Sequence, residues 1–166
     1  MKVLILGSGG REHALGWKIS KSPLLGKLYF APGNPGTMTL GTNVSLSNTE
    51  EVVAFAQKNA IDLVIPGPEA WLIKGIVDEL TKVGVRTFGP RKQAAMLEGS
   101  KAFAKRLMVK ADVPTAKFEA FSNADSALQY LENIEYPIVV KADALLPAKA
   151  SSFAKQKMKL KRPFTK

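Results

Sequence analysis

The feature that most limits how this chain can fold is its opening stretch, KVLILGSGGREH. Val3, Leu4, Ile5 and Leu6 make an aliphatic run too short for a helix, and it stops at Gly7, with Gly9 and Gly10 close behind. Such a run predicts a strand buried on both faces, the kind found in parallel sheets. The residues after the glycines, HALGWKIS, place Ala14, Leu15, Trp17 and Ile19 at helical spacing. A buried strand, a glycine turn and a helix open a βαβ unit. In that unit backbone N–H groups and the positive end of the helix dipole converge on an anion. The same glycines also suit a tight turn that binds nothing, and the motif alone leaves both readings standing.

The pattern then repeats. Residues 28–30 (LYF) predict a second strand, which runs into APGNPG, a loop dense in turn residues. Residues 43–46 predict a third strand, and Thr49 an N-cap for a helix through Gln57, with Glu50 and Glu51 in its first turn. IDLVI at 61–65 predicts a fourth strand ending at PGPE, residues 66–69. A helix over 71–83 follows, with Leu72, Ile76, Val77 and Leu80 on one face and Gly84 as its stop. Residues 85–88 predict a fifth strand, ending at Gly89-Pro90. The expectation is an α/β fold, a doubly wound, Rossmann-like parallel sheet of five strands. Ligands of such sheets sit beyond the carboxyl ends of the strands. Three of those ends here carry polar, glycine-rich loops, GSGGREH, APGN and GPE, and their convergence favours a binding crevice over simple loop punctuation.

A dinucleotide is a poor fit. The glycines read G-x-G-G, with Glu12 where the third glycine of G-x-G-x-x-G belongs. The second strand ends Phe30-Ala31-Pro32, without the acid that would hold ribose hydroxyls. A nicotinamide-dependent oxidoreductase is therefore disfavoured.

At 166 residues the chain can hold one full core, or one domain and part of another. It has no cysteine, which excludes disulfides and thiolate metal sites. Neither a signal peptide nor an apolar run of membrane-spanning length is read, so a cytoplasmic location is expected. The net charge of +10 suggests nucleic acid, but its distribution argues otherwise. Residues 144–166 carry seven basic residues and no acidic one, leaving 17 basic against 14 acidic, or +3, in the rest. That basic stretch also lacks interleaved aromatics, so no nucleic-acid or membrane partner is expected.

The motifs GSGGREHAL, APGN, GPE and FGP…A…LEGSKAFAK, in that order, resemble the phosphoribosylamine–glycine ligase family of ATP-grasp enzymes, over about residues 1–143. That family joins glycine to 5-phosphoribosylamine in purine biosynthesis, cleaving ATP to ADP and phosphate. The resemblance implies a substrate-binding domain over 1–100, followed by the start of an ATP-grasp domain over 101–143. It implies that Gly7, Gly9, Gly10, Arg11, Glu12 and His13 surround the phosphate of phosphoribosylamine, through the backbone N–H groups of Gly9 and Gly10. Pro32, Gly33 and Asn34, with Gly67, Pro68 and Glu69, would line the same crevice, Glu69 meeting the ribose hydroxyls or the amine. For Arg11, Glu12 and His13 an ordinary charged first helical turn is the competing reading.

Ser100 predicts the N-cap of a helix through Lys110, with Phe103, Leu107 and Met108 as its buried stripe. Residues 114–121 predict a strand, Ser122 or Asn123 a cap for a helix over 124–133, and PIVVK at 137–141 another strand. The resemblance places Lys101 and Lys141 at the ATP phosphates, although a lysine closing a strand is also a common solvated edge. Asp143 and the acids between 125 and 135 read as surface. The cofactors implied are ATP with Mg²⁺ or Mn²⁺, whose ligands in the family lie beyond the residues that match.

After Asp143 the family continues GLAAGKGV, a glycine-rich loop over the ATP phosphates, whereas this chain reads ALLPAKASSF. Back-translated with permitted codons and shifted by one base, that segment reads GLAAGKGVVI. Residues 144–166 are thus expected to be frameshifted, disordered or incidentally helical, and the chain to lack ligase activity. A phosphosugar-binding module without catalysis and another ATP-grasp purine enzyme are the alternatives, GSGGREH matching the glycine ligase best.

Overall fold

The first strand, β1 (Lys2–Gly7), is buried on both faces from Val3 onward, as its unbroken aliphatic run predicts. Val3 and Ile5 face one side of the sheet, where they pack with Leu28 and Phe30. Leu4 and Leu6 face the other, packing with Tyr29, Val52, Ala56, Val64, Ile76 and Leu80. The structure, a computed structural model, describes residues 1–135, 137–143 and the backbone of 151–154.

β1 pairs in parallel with β2 (Lys27–Pro32) and with β4 (Leu63–Pro66). The short strands β3 (Thr42–Asn43) and β5 (Arg86–Thr87) extend the sheet on its two sides. The order β3-β2-β1-β4-β5 is that of a doubly wound sheet, with its switch point between β1 and β4. Four helices make the crossovers: α1 (Gly10–Ile19), α2 (Thr49–Lys58) and the pair α3 (Glu69–Lys74) and α4 (Ile76–Lys82). The helix α5 (Lys92–Gly99) closes a first compact unit, Met1–Gly99.

Several boundaries differ from the sequence-based expectation, each for a physical reason. Asn48, not Thr49, caps α2: its Oδ1 accepts from the Glu51 N–H at 2.8 Å, while the Glu51 carboxylate accepts from the Ser47 N–H and hydroxyl. The helix expected over 71–83 is two helices, because Gly75 adopts a left-handed conformation (φ 91°) and ends α3. On α1 the buried positions are Glu12 and Gly16, whereas Leu15 and Trp17 are exposed. Gly16 faces Phe30 so closely that a methyl group there would collide with the ring.

The second compact unit begins at Ser100. It holds α6 (Lys101–Lys110), α7 (Ala124–Leu131) and β6 (Ile138–Lys141), which pairs antiparallel with β7 (Ser151–Ala154). Ser100 and Asn123 are the N-caps, accepting from the N–H groups of Phe103 and Ser126. The expected buried stripe of α6 is not buried: Phe103 and Leu107 are exposed. Residues 114–121 form no strand, since no neighbouring strand offers them a ladder among the described residues. β7 falls within the basic stretch expected to be disordered or incidentally helical, and its strand corrects that expectation over residues 151–154; residues 144–150 and 155–166 lie outside the described ones.

Candidate functional site

The register of the sheet aligns three loops. Gly7 is opposite Pro32, and Leu6 opposite Pro66, so the turns after β2, β1 and β4 leave the sheet side by side. Their backbones are stitched together at the sheet edge: the Gly33 N–H donates to the Gly7 carbonyl at 3.1 Å and the Gly67 N–H to the Leu6 carbonyl at 2.8 Å. GSGG, PGN and GPE therefore meet at one place, which includes the switch point.

At the first of these loops the chain turns through Gly7 (φ 126°), a backbone region that side chains resist. α1 begins at Gly10, so Gly10, Arg11, Glu12 and His13 form its first turn rather than part of the loop. Ser8, Gly9, Gly10 and Arg11 are exposed. The first N–H groups of a helix have no intrahelical acceptor, and the dipole adds positive potential there. The expected donor pair Gly9 and Gly10 needs correction: the Gly9 N–H is already given to Glu12 Oε2 at 2.6 Å. The next two residues, Gly10 and Arg11, are exposed at the start of α1, where backbone N–H groups have no intrahelical acceptor.

Glu12 is the larger departure. It is expected either at the phosphate or in an ordinary charged first helical turn, yet Glu12 is only 3% exposed. Its second oxygen accepts from Arg11 Nε at 3.1 Å, and the Arg11 side chain is otherwise 62% exposed. Gly7, Gly9 and Gly67 surround the carboxylate so closely that a Cβ at any of them would clash with it. The missing third glycine of a dinucleotide motif is thus replaced by an acid that fills the space between two loops.

Asn34 bridges the other pair of loops. Its Nδ2 donates to the Ser8 carbonyl at 2.9 Å, and its Oδ1 accepts from the Thr37 N–H at 3.0 Å. Behind it, buried Thr37 lies 2.8 Å by its hydroxyl from Asn43 Oδ1, and Asn43 Nδ2 donates to the Asn34 carbonyl at 2.9 Å. Ser8, Thr37 and Asn43 are not singled out from sequence: Thr37 meets Asn34 through a local turn three residues on, while the fold brings Ser8 and Asn43 to it. His13 is half-buried, its ring beside Gly36. Glu69 is exposed as the first residue of α3, and borders a cleft of about 260 Å³ with Leu72, Pro90, Ala95, Leu97 and Glu98.

The two predicted lysines belong to the second unit. Lys101 is the first residue of α6 and Lys141 the last of β6. Asp143 joins these two ends: its carboxylate accepts from the Ala102 N–H at 3.0 Å and from the Ser100 hydroxyl at 2.9 Å. Those bonds, the Ala102 amide foremost, hold its carboxyl below the ordinary aspartate value. Asp143 is exposed, as expected, and also serves as a second cap for α6.

Comparison with known proteins decides the family. Residues 1–98 match the family described as phosphoribosylglycinamide synthetase, N domain, and residues 99–162 match its ATP-grasp (A) domain. The chain belongs to the phosphoribosylglycinamide synthetase family. Over 156 residues it is 51% identical to the phosphoribosylamine–glycine ligase of Agrobacterium fabrum, covering 93% of this chain and 37% of the relative. The Clostridium acetobutylicum ligase is 49% identical over 151 residues, with 90% and 36% covered. The chain thus spans little more than a third of the length of these synthetases. Among solved structures, the phosphoribosylamine–glycine ligase of Thermotoga maritima superposes with a TM-score of 0.77 at 33% identity, covering 95% of this chain and 37% of that one. N5-carboxyaminoimidazole ribonucleotide synthetase from Thermus thermophilus shares the fold, with a TM-score of 0.70 at 17% identity over 93% and 41% of the two chains.

Proposed function

We propose that this chain is the phosphosugar-binding part of a phosphoribosylamine–glycine ligase, together with the start of its ATP-grasp domain. The observation that carries this reading is the meeting of GSGG, PGN and GPE at the switch point of the sheet, in a chain of the synthetase family. In this reading the phosphate rests on the N–H groups of Gly10 and Arg11 at the start of α1, with the exposed Arg11 guanidinium as its counter-charge. Gly7, Pro32, Gly33, Gly67 and Pro68 shape the crevice, His13 borders it, and Glu69 accepts from ribose hydroxyls or the amine. Ligation of glycine is proposed for the longer protein, and phosphosugar binding for this stretch of it.

ATP is the proposed nucleotide, with Lys101 and Lys141 at its phosphates from the adjoining ends of α6 and β6. No three His, Asp or Glu side chains group together among the described residues, so the Mg²⁺ or Mn²⁺ donors are proposed to lie outside them. When bound, the metal neutralises phosphate charge during acyl-phosphate formation. The protein is proposed to be cytoplasmic and to have small-molecule partners only. Among the described residues no helix is long and apolar enough to cross a membrane.

Calorimetric titration with ribose 5-phosphate, ATP and NAD tests the reading. Ribose 5-phosphate is expected to bind, with affinity falling as salt rises. Binding of NAD in its place would overturn the assignment.

A further inference from the structure

We propose that Asn34 and Glu12 are positioning residues that clamp the Ser8–Gly9 peptide from its two ends, so that the loop turns only Gly10 and Arg11 N–H groups toward a phosphate. The inference deepens the phosphosugar reading above and rests on it for the identity of the ligand.

The Ser8 carbonyl and the Gly9 N–H belong to one peptide unit, and each is held by a different side chain. Asn34 Nδ2 donates to that carbonyl at 2.9 Å, from a loop 26 residues away. The Gly9 N–H donates to Glu12 Oε2 at 2.6 Å. A flipped peptide would turn its carbonyl dipole onto the Glu12 carboxylate and leave Asn34 without its acceptor. Both changes are costly, so the plane has one orientation. That orientation matters chemically. A Ser8 carbonyl facing the crevice would repel a phosphate, and Asn34 draws it aside.

Both clamps direct their polar atoms toward the protein's own loops. Asn34 Oδ1 takes the Thr37 N–H at 3.0 Å, while its amide also lies 3.5 Å from the Gly9 carbonyl. Glu12 is 3% exposed, its other oxygen facing Arg11 Nε at 3.1 Å. That second contact turns back one edge of the Arg11 guanidinium and leaves its outer nitrogens toward solvent, where a phosphate would meet them. The third loop packs on Glu12 as well, the Gly67 backbone lying too close to the carboxylate to admit a Cβ. Two side chains thus set three loops.

Amide-resolved NMR of the whole chain tests the clamp with and without ligand. Without ligand, the Gly9 amide proton is expected downfield of Gly10 and slower to exchange. Glu12→Ala and Asn34→Asp should each shift it and speed its exchange, and Glu12→Gln, whose oxygen still accepts, should retain most of the effect. On titration with ribose 5-phosphate, the Gly10 and Arg11 amides should move most, and Asn34→Asp should weaken binding by about tenfold or more with the circular dichroism unchanged. A Gly9 amide indifferent to both Glu12→Ala and Asn34→Asp would overturn the clamp. So would a titration in which the Gly9 amide or the Asn34 side-chain amide moves most, for these groups would then touch the ligand. If wild-type chain shows the Gly9 signature but no response to ribose 5-phosphate, the clamp is upheld and the phosphosugar reading fails.

Discussion

Glu12 illustrates how one residue governs its surroundings. Withdrawing a carboxylate from water costs several kcal/mol unless its oxygens are satisfied. Here they are, by the Gly9 N–H and by Arg11 Nε. The space they need is kept open by glycines that belong to two loops. Gly67→Ala would set a methyl group where the carboxylate lies. A loss of about 1–3 kcal/mol is expected, read as a lower urea midpoint at unchanged slope. Gly10→Ala is the control, because no heavy atom outside its own turn lies within 4 Å of the new methyl group. Its midpoint should move by no more than about 0.5 kcal/mol.

At the scale of single elements, α1 shows that the face a helix buries need not be its most apolar one. Ala14, Leu15, Trp17 and Ile19 drew attention by their spacing, but Gly16 makes the closest approach to the sheet, against Phe30. Trp17 stays 50% exposed, with Lys21 Nζ 3.6 Å above its ring. Gly16→Ala should therefore destabilise by about 1–3 kcal/mol despite the better helix propensity of alanine. Trp17→Ala should cost less than about 1 kcal/mol. Thermal or urea melts of the two variants check the order. In the second unit the link between β6 and α6 depends on the charge of Asp143. Its carboxyl is held below the ordinary value in the folded state, chiefly by the Ala102 N–H. The stabilisation is thus fully present above the unfolded value of 3.8 and is lost as pH falls through the lower folded value. The Ala102 amide shift should titrate with a midpoint below 3.8, and Asp143→Asn should abolish that titration while Ala102 remains in a folded helix.

On the scale of the whole molecule, the apolar burial is uneven. Sixteen of the 17 buried hydrophobic side chains among the described residues lie in the first unit, and the remaining one is Leu131. Amide exchange follows local burial and hydrogen bonding. The slowest amides are expected in β1, β2 and β4, and those of α6 and α7 should exchange at lower opening free energy. Native-state exchange by mass spectrometry reads this directly; equal protection in both units would contradict it. The same unevenness explains which elements were legible beforehand. Strands β1, β2 and β4 and helix α2 announce themselves by period and by flanking turn residues, as does the helical span that Gly75 divides into α3 and α4. Residues 114–121 and the stripe of α6 carry similar local patterns, but find among the described residues no buried partners that would make those patterns decisive.

The residue order by itself determined the doubly wound sheet, the strand ends that carry polar loops, and the family. Each of these rests on local period, turn chemistry or contiguous motif, which neighbours along the chain decide. The tertiary structure decided the rest: that Glu12 is buried between two loops, that Asn34 spends its amide on Ser8, that Gly16 rather than Trp17 meets the sheet, and that Asp143 caps α6. The physical reason is the same in all four. Burial and hydrogen-bond partnership depend on what packs against a residue, and most of those partners lie far along the chain, 26 residues in the case of Asn34 and Ser8.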